Sequence, residues 1–90
     1  MYNIEYTGSF KRDYKLALKR GCKEQLIQNV INLLANGISL PAKNNPHKLS
    51  GDYKDCWECH VQPDWLLIWQ INIANNTLIL IRTGTHSDLF

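Results

Sequence analysis

The sequence predicts an α+β domain in the order β-α-α-β-β-β, with a mostly antiparallel sheet packed against an N-terminal helical hairpin. Two patterns predict this class. Apolar residues recur at helical spacing between residues 10 and 36, and alternating or apolar runs separated by turn signals fill residues 54–83. The 90 residues, 44% of them hydrophobic and 20% charged, fit one globular domain over residues 1–90.

The N-terminal half is predicted to hold one strand and two helices. Residues 2–6 alternate in polarity as a strand does, and Ser9 is placed to cap the helix that follows. Gly21 ends that helix, and a second one runs from about residue 23 to 36. Since only one or two residues separate the helices, we expect a helical hairpin. The apolar positions that define the helices are Phe10, Tyr14, Ala17, Leu18, Leu26, Ile27, Val30, Leu33 and Leu34.

The C-terminal half is predicted to form three strands. A loop rich in Pro and Asn covers residues 40–46, after which residues 54–61 alternate. Side chains 56, 58 and 60 should lie on one face, and side chains 57, 59 and 61 on the other. Two further strands are expected over residues 65–71 and 77–83, with turns between the strands and a short tail to Phe90.

Charge and hydropathy narrow the possible functions. No stretch reaches the roughly 18 consecutive apolar residues of a membrane span, and residues 1–10 lack a secretion signal, so we expect a cytoplasmic protein without a membrane partner. Residues 1–45 carry seven Lys and Arg against three acids, whereas residues 46–90 carry three against five. A basic face attracts a polyanion, although an ordinary solvated helix face would show the same charges.

Residues 56–60 spell Cys-x-x-Cys-His, the pattern of covalent haem attachment. A strand would place Cys56 and Cys59 on opposite faces, where they cannot hold one cofactor. A zinc site lacks a second ligand pair at metal spacing. We therefore expect no cofactor and no metal, with the three cysteines as small buried apolar residues.

Histidines and a few charged residues form the second constellation. His60 ends one predicted strand, Asp64 follows in the turn, and Arg82 and His86 lie at the end of the last strand. If the strands over residues 54–61 and 77–83 flank the central strand, these side chains converge on one side of the sheet. Taken singly, each has an ordinary structural explanation, so the prediction depends on the combination, which also includes His47.

Such a group suits RNA cleavage by internal transesterification. The 2′-hydroxyl attacks the adjacent phosphate, so the enzyme supplies only a base, an acid and cations. Imidazoles titrating near neutrality suit both proton transfers, and Arg82 with Lys48 could stabilise the developing negative charge. No paired carboxylate cluster is present that would hold a catalytic metal.

The motifs in order along the chain resemble those of YafQ-type toxins in the RelE superfamily. Residues 60–65 (HVQPDW) and 82–90 (RTGTHSDLF) carry the most specific match. Residues 6–13 (YTGSFKRD), 40–42 (LPA) and 47–51 (HKLSG) extend it over nearly the whole chain. Gln62 departs from the pattern, since the family often has an acidic residue there.

The resemblance implies a RelE-like fold and a ribosome-dependent mRNA endoribonuclease, or mRNA interferase, of a type II toxin–antitoxin system. Such toxins enter the ribosomal A site and cut mRNA there, which inhibits translation. The implied partners are a cognate antitoxin, the ribosome and mRNA, with operator DNA bound only through the antitoxin complex. The competing hypothesis is an inactive module of the same fold that acts as an antitoxin-bound co-repressor; a gyrase-poisoning relative lacks this histidine set.

The resemblance also assigns the site. We expect His86 as general acid, His60 with Asp64 as the base side, and Arg82 with His47 as phosphate binders. Lys48, Trp65 and Phe90 complete the predicted RNA-binding set, while Trp57 and Trp69 are assigned to packing. The predicted ribosome-binding cluster on the first helix comprises Lys11, Arg12, Lys15, Lys19 and Arg20.

Overall fold

A computed structural model describes all 90 residues as three helices and one five-stranded sheet. The strand order is β1-β5-β4-β3-β2, in which β1 lies parallel to β5 and every other pair is antiparallel. The predicted α+β class is therefore confirmed. The elements are β1 Asn3–Tyr6, α1 Gly8–Lys19, α2 Glu24–Ala35, β2 His47–Lys48, β3 Trp57–Gln62, β4 Trp65–Asn72, β5 Thr77–Gly84 and α3 His86–Leu89.

The start of α1 differs from the prediction, because Thr7 and not Ser9 caps it. The Thr7 hydroxyl accepts a hydrogen bond from the Phe10 amide at 3.1 Å, which satisfies a backbone donor that has no partner inside the helix. The same hydroxyl lies 2.9 Å from the Leu80 carbonyl, to which it donates. Thr7 therefore fixes the beginning of α1 against β5.

The two faces of the sheet are filled differently. One face, here called the helix face, packs against α1 and α2 through a cluster of 13 buried residues that includes Cys59, Leu67 and Leu80. The opposite face, here called the open face, carries a buried cluster of four: Cys56, Leu66, Ile68 and Leu89. The predicted alternation is confirmed, since Cys56 and Cys59 belong to opposite clusters.

Two short elements were absent from the prediction, and β3 begins later than predicted. The two-residue β2 pairs with β3, and α3 forms where only a tail was expected. Strand β3 begins at Trp57 and not at residue 54, because residues Gly51–Tyr53 form a 3-10 turn and Asp55 adopts a left-handed conformation with φ 69°. None of the helices has the length and hydropathy of a membrane span.

Candidate active site

Three imidazole rings lie in a row on the open face. The ring centroids of His47 and His60 are 6.5 Å apart, and those of His60 and His86 are 5.7 Å apart. The sheet register produces this row, because His47 pairs with Glu58 and His60 pairs with Leu66. His86 joins them as the first residue of α3, directly after β5. The structure thus brings together the three histidines that the sequence singled out.

Asp64 holds His86 by two hydrogen bonds. Its Oδ1 accepts from the His86 backbone N–H at 3.0 Å and from the ring Nδ1 at 2.7 Å. These backbone and side-chain hydrogen bonds lower the pKa of Asp64. Because an ionised carboxylate only accepts, Nδ1 of His86 carries a proton and donates it. Nε2 of His86, the opposite ring nitrogen, has no hydrogen-bond partner within the chain.

His60 is oriented by backbone groups. Its Nδ1 lies 3.2 Å from the Pro63 carbonyl, and because a carbonyl only accepts, Nδ1 carries the proton of the neutral ring. Nε2 is then the basic nitrogen. The Asn44 side-chain amide donates to the His60 carbonyl at 2.7 Å, which ties the loop before β2 to β3. A cavity of about 370 Å³ opens beside the ring, between Lys43 and Gln62.

This geometry corrects the predicted pairing of His60 with Asp64. A change of register between His60 and Gln62 shifts the end of β3, and the turn that follows directs Asp64 to α3. Asp64 therefore belongs with His86, while His60 takes its orientation from Pro63.

His47 lies between two acceptors. Its Nδ1 donates to the Asn45 carbonyl at 2.8 Å, and its Nε2 lies 3.2 Å from Glu58 Oε1. Glu58 is 4% exposed, and its Oε2 is buried without a hydrogen-bond partner. Nε2 of His47 is thus engaged by Glu58 and is not available as a free base.

Arg82 is held by a carboxylate of α1. Its Nε lies 2.5 Å from Asp13 Oδ2, and its Nη2 lies 3.2 Å from Asp13 Oδ1. The same carboxylate accepts from the Thr83 amide at 3.2 Å. Hydrogen bonding to Asp13 raises the pKa of Arg82. The guanidinium is therefore a fixed cation, and any substrate phosphate shares it with Asp13.

Two predicted RNA-binding residues lie away from the row of histidines. Lys48 follows His47 in β2 and therefore projects from the other face, where its Nζ lies 5.7 Å from the ring centroid of Trp57. Trp65 is 3% exposed, and its indole N–H donates to the Thr83 hydroxyl at 3.0 Å. Lys48 does not reach the candidate site, and Trp65 is a core residue that cannot stack on a base.

Phe90 remains available at the end of the chain. Its side chain is 64% exposed and meets the Tyr53 ring edge-on, with centroids 5.6 Å apart. The Tyr53 hydroxyl lies 3.5 Å from the Leu89 carbonyl. Tyr53 therefore supports the segment that carries both Phe90 and His86, a role that no sequence signal indicated.

The basic cluster of α1 divides into two groups. Lys11, Arg12, Lys15 and Lys19 are exposed and make no ion pair. Arg20 is also exposed, but its Nη1 lies 2.6 Å from Asp88 of α3. Four of the five predicted ribosome contacts thus have no acidic partner, and of these only Arg12 donates a side-chain hydrogen bond, to the Ser9 hydroxyl at 3.3 Å, whereas Arg20 pairs with an acid.

Two acidic residues of the site were missed by sequence reasoning. Glu58 lies between Trp57 and Cys59 in a strand with an apolar core on both faces, and a buried acid there is costly unless it has a partner. That signal could have marked Glu58 beside the histidines. Asp13 lies in an ordinary helical pattern, so its contact with Arg82 depends on how α1 packs against β5.

Comparison with known proteins places the chain in a family. Residues 2–90 match the family of bacterial toxins of type II toxin–antitoxin systems, YafQ. The mRNA interferase toxin YafQ of Escherichia coli K12 is 39% identical over 89 residues, which cover 98% of this chain and 95% of that protein.

Solved structures agree with this match over the whole chain. A metal-bound toxin from Helicobacter pylori has a TM-score of 0.94 at 42% identity, covering 100% of both chains. YafQ in the E. coli DinJ–YafQ complex has a TM-score of 0.90 at 38% identity, covering 100% of this chain and 99% of that chain. In the present structure no group of three or more His, Cys, Asp or Glu side chains is arranged to hold a metal ion. The sequence match and the shared architecture together show that this chain belongs to the YafQ family of type II toxin–antitoxin toxins.

Proposed function

We propose that this chain is an mRNA endoribonuclease toxin that cuts mRNA on the ribosome and thereby inhibits translation. Its E. coli relative is named an mRNA interferase toxin, and the chain aligns with that relative almost end to end. The observation that carries the proposal is the row of three imidazoles, in which His60 and His86 each present an unpartnered Nε2.

The chemistry needs one base and one acid. Nε2 of neutral His60 removes the proton from the 2′-hydroxyl, and the resulting oxygen attacks the adjacent phosphorus. The bond from phosphorus to the 5′-oxygen breaks as Nε2 of protonated His86 gives a proton to that oxygen. The products are a 2′,3′-cyclic phosphate and a 5′-hydroxyl end. One proton is taken up and one is released, so the reaction balances.

The hydrogen-bond partners support this division of roles. Asp64 accepts the hydrogen bond from Nδ1 of His86 and orients the ring, which leaves Nε2 as the nitrogen that can give a proton to the leaving group. His60 has only a carbonyl at Nδ1, which leaves the neutral ring with a basic Nε2. Asp64 therefore assists the acid and not the base.

One cation and one aromatic ring would bind the substrate. Arg82, fixed by Asp13, can stabilise charge that develops on the phosphate. His47, predicted as a second phosphate binder, has both ring nitrogens engaged by Asn45 and Glu58 and so would only border the substrate at one end of the row. The exposed ring of Phe90 can stack on a nucleobase, an interaction worth about 1–3 kcal/mol.

The partners follow from this activity. The exposed basic residues of α1 would contact ribosomal RNA near the A site. These residues are Lys11, Arg12, Lys15 and Lys19. Action on the ribosome also implies that the protein works in the cytoplasm. The DinJ–YafQ complex structures support a cognate antitoxin for this chain. Operator DNA would be bound only through that antitoxin complex.

Induced expression in bacteria tests the proposal. The wild type and His86→Gln are expressed side by side, growth is followed, and cuts in a reporter mRNA are mapped by primer extension. We expect growth arrest with in-frame cuts from the wild type and neither effect from His86→Gln. Reactions of purified toxin with and without ribosomes then test ribosome dependence. Folded wild-type protein that causes no arrest and no cuts would favour the inactive co-repressor module.

A further inference from the structure

Helix α3 carries His86 at its first position and has only four residues, too few for a helix to be stable without outside support. Part of its support is local, because Thr85 and Asp88 form a capping box. The Thr85 hydroxyl accepts from the Asp88 amide, and the Asp88 carboxylate accepts from the Thr85 amide. Leu89 adds one buried side chain, 7% exposed, on the open face. The remaining side-chain contacts of α3 come from other elements, through Asp64, Tyr53 and Arg20.

Arg20, which caps the C-terminus of α1, contacts α3. Its Nη1 lies 2.6 Å from Asp88 Oδ2, and its Nη2 lies 3.3 Å from Asp88 Oδ1, which is a two-pronged contact. Asp88 Oδ2 also accepts from the Thr85 amide at 3.0 Å. The pKa of Asp88 falls to about 2, first because of Arg20 and then because of Thr85. One carboxylate thus joins the capping box of α3 to α1.

Gly84 makes room for this arrangement. A Cβ at position 84 would lie 2.9 Å from Asp88 Oδ2 and 3.0 Å from Asp88 Cβ, closer than side chains normally approach. Any larger residue would push the Asp88 carboxylate away from its present position. The glycine at the end of β5 therefore leaves space for the Asp88 carboxylate at the position where this carboxylate contacts Arg20.

We infer that Arg20 is a positioning residue for His86, acting through Asp88, and not a ribosome contact. By holding α3, the pair keeps both the backbone N–H and the ring Nδ1 of His86 within reach of Asp64 Oδ1. The inference rests on the proposed function of His86 as general acid. It also revises the predicted ribosome-binding cluster, since Arg20 is the only member of that cluster with an acidic partner.

Kinetics separate positioning from ribosome binding. In cleavage assays with titrated ribosomes, we expect Arg20→Ala and Asp88→Asn each to lower kcat about fivefold, the upper range for an exposed ion pair, with KM for ribosomes unchanged. The double variant should be no worse than Asp88→Asn alone, because Arg20→Ala removes only a contact that Asp88→Asn already weakens. Arg20→Lys should recover part of the loss.

A ribosome-contact role predicts a different pattern. Arg20→Ala would then raise KM, and Asp88→Asn would lower KM because it frees the guanidinium and removes a negative charge. Lys23→Ala is the matched control, since it removes a positive charge at the start of α2 and Lys23 makes no ion pair. Either that KM pattern or an equal loss of kcat in Lys23→Ala would overturn the inference.

A second measurement does not depend on catalysis. The His86 backbone amide should exchange faster with solvent and shift in NMR spectra of Arg20→Ala and Asp88→Asn, but not of Lys23→Ala. If the two variants show these amide changes but the wild-type protein cleaves nothing, the proposed function alone is contradicted. An unchanged His86 amide in both variants would contradict the positioning inference alone.

Discussion

The helix face and the open face of the sheet differ in how their residues are held. The helix face is closed by α1 and α2 over 13 buried residues, whereas the open face has a buried cluster of four beside the row of histidines. Buried apolar area stabilises a fold far more than exposed ion pairs do. The comparison indicates that the helix face carries the stability, which leaves the open face free to hold polar groups for chemistry.

The largest expected effect is on the open face and concerns activity alone. His86→Gln should lower the cleavage rate about 10²- to 10⁴-fold, the usual contribution of a general acid. The free energy of unfolding should stay within about 0.5 kcal/mol of the wild type, because the side chain is exposed. Ser87→Ala, the exposed neighbour, is the control in both assays. Comparable activity in His86→Gln and Ser87→Ala would remove His86 from the mechanism.

The matching change on the helix face should act on stability. Leu67 is fully buried in the centre of β4, between Cys59 of β3 and Thr83 of β5. Leu67→Ala should lower the free energy of unfolding by about 2–5 kcal/mol, measured by urea denaturation. Ile73→Ala, in the exposed turn after β4, should change it little. A loss of activity in Leu67→Ala protein that is still fully folded would show that the two faces are not separable in this way.

Asp13 of α1 contacts Arg82 of the candidate site, so a change at Asp13 should affect both stability and cleavage. Asp13→Asn weakens the contact with Arg82 and the Thr83 amide, and we expect about 1–2 kcal/mol less stability, reduced by solvent screening of the partly exposed Arg82. Cleavage should also fall, because the guanidinium loses its fixed position. Asp52→Asn is the control, an exposed acid without an ion-pair partner. Lower stability with unchanged cleavage would limit Asp13 to a structural role.

The smallest expected effect is the pH dependence of the pair between Arg20 and Asp88. The pKa of Asp88 is lowered from 3.8 to about 2, with Arg20 as the main cause. A carboxyl group whose pKa is lower in the folded protein stabilises the fold when the pH is above the pKa of the unfolded chain. This contribution disappears as the pH falls through the pKa of the folded state. In urea denaturation, the free energy of unfolding of the wild type should therefore exceed that of Asp88→Asn at pH 5–7. The difference should shrink as the pH falls from about 4 to about 2. A difference that is constant over this range would contradict the lowered pKa.

The elements with long periodic patterns were predictable, whereas the short ones were not. Helices α1 and α2 follow from apolar spacing, and β4 follows from its apolar run. Strand β2 has two residues and α3 has four, so neither offers a period to detect, and both depend on contacts with distant elements. The spacing of Thr85 and Asp88 is the one local signal, a capping box, that could have indicated α3.

The membership of the candidate site was more predictable than its pairings. The strand order brings His60 and His86 together, and the ends of the predicted strands indicated this. The contact of Asp64 with His86 depends on the register shift at the end of β3, which leaves no mark in the sequence. Lys48 was misplaced for a related reason, because its direction follows from β2, which was not predicted.

The most direct test of the proposed roles uses a scissile linkage in which sulfur replaces the 5′-oxygen. A thiolate leaves without a proton, so the reaction no longer needs a general acid but still needs a base. On ribosomes programmed with this mRNA, His86→Gln should cleave at nearly the wild-type rate, while His60→Gln should remain slow. If His86→Gln stays as slow on the sulfur substrate as on normal mRNA, or if His60→Gln is the variant that recovers, the assignment of acid and base is wrong.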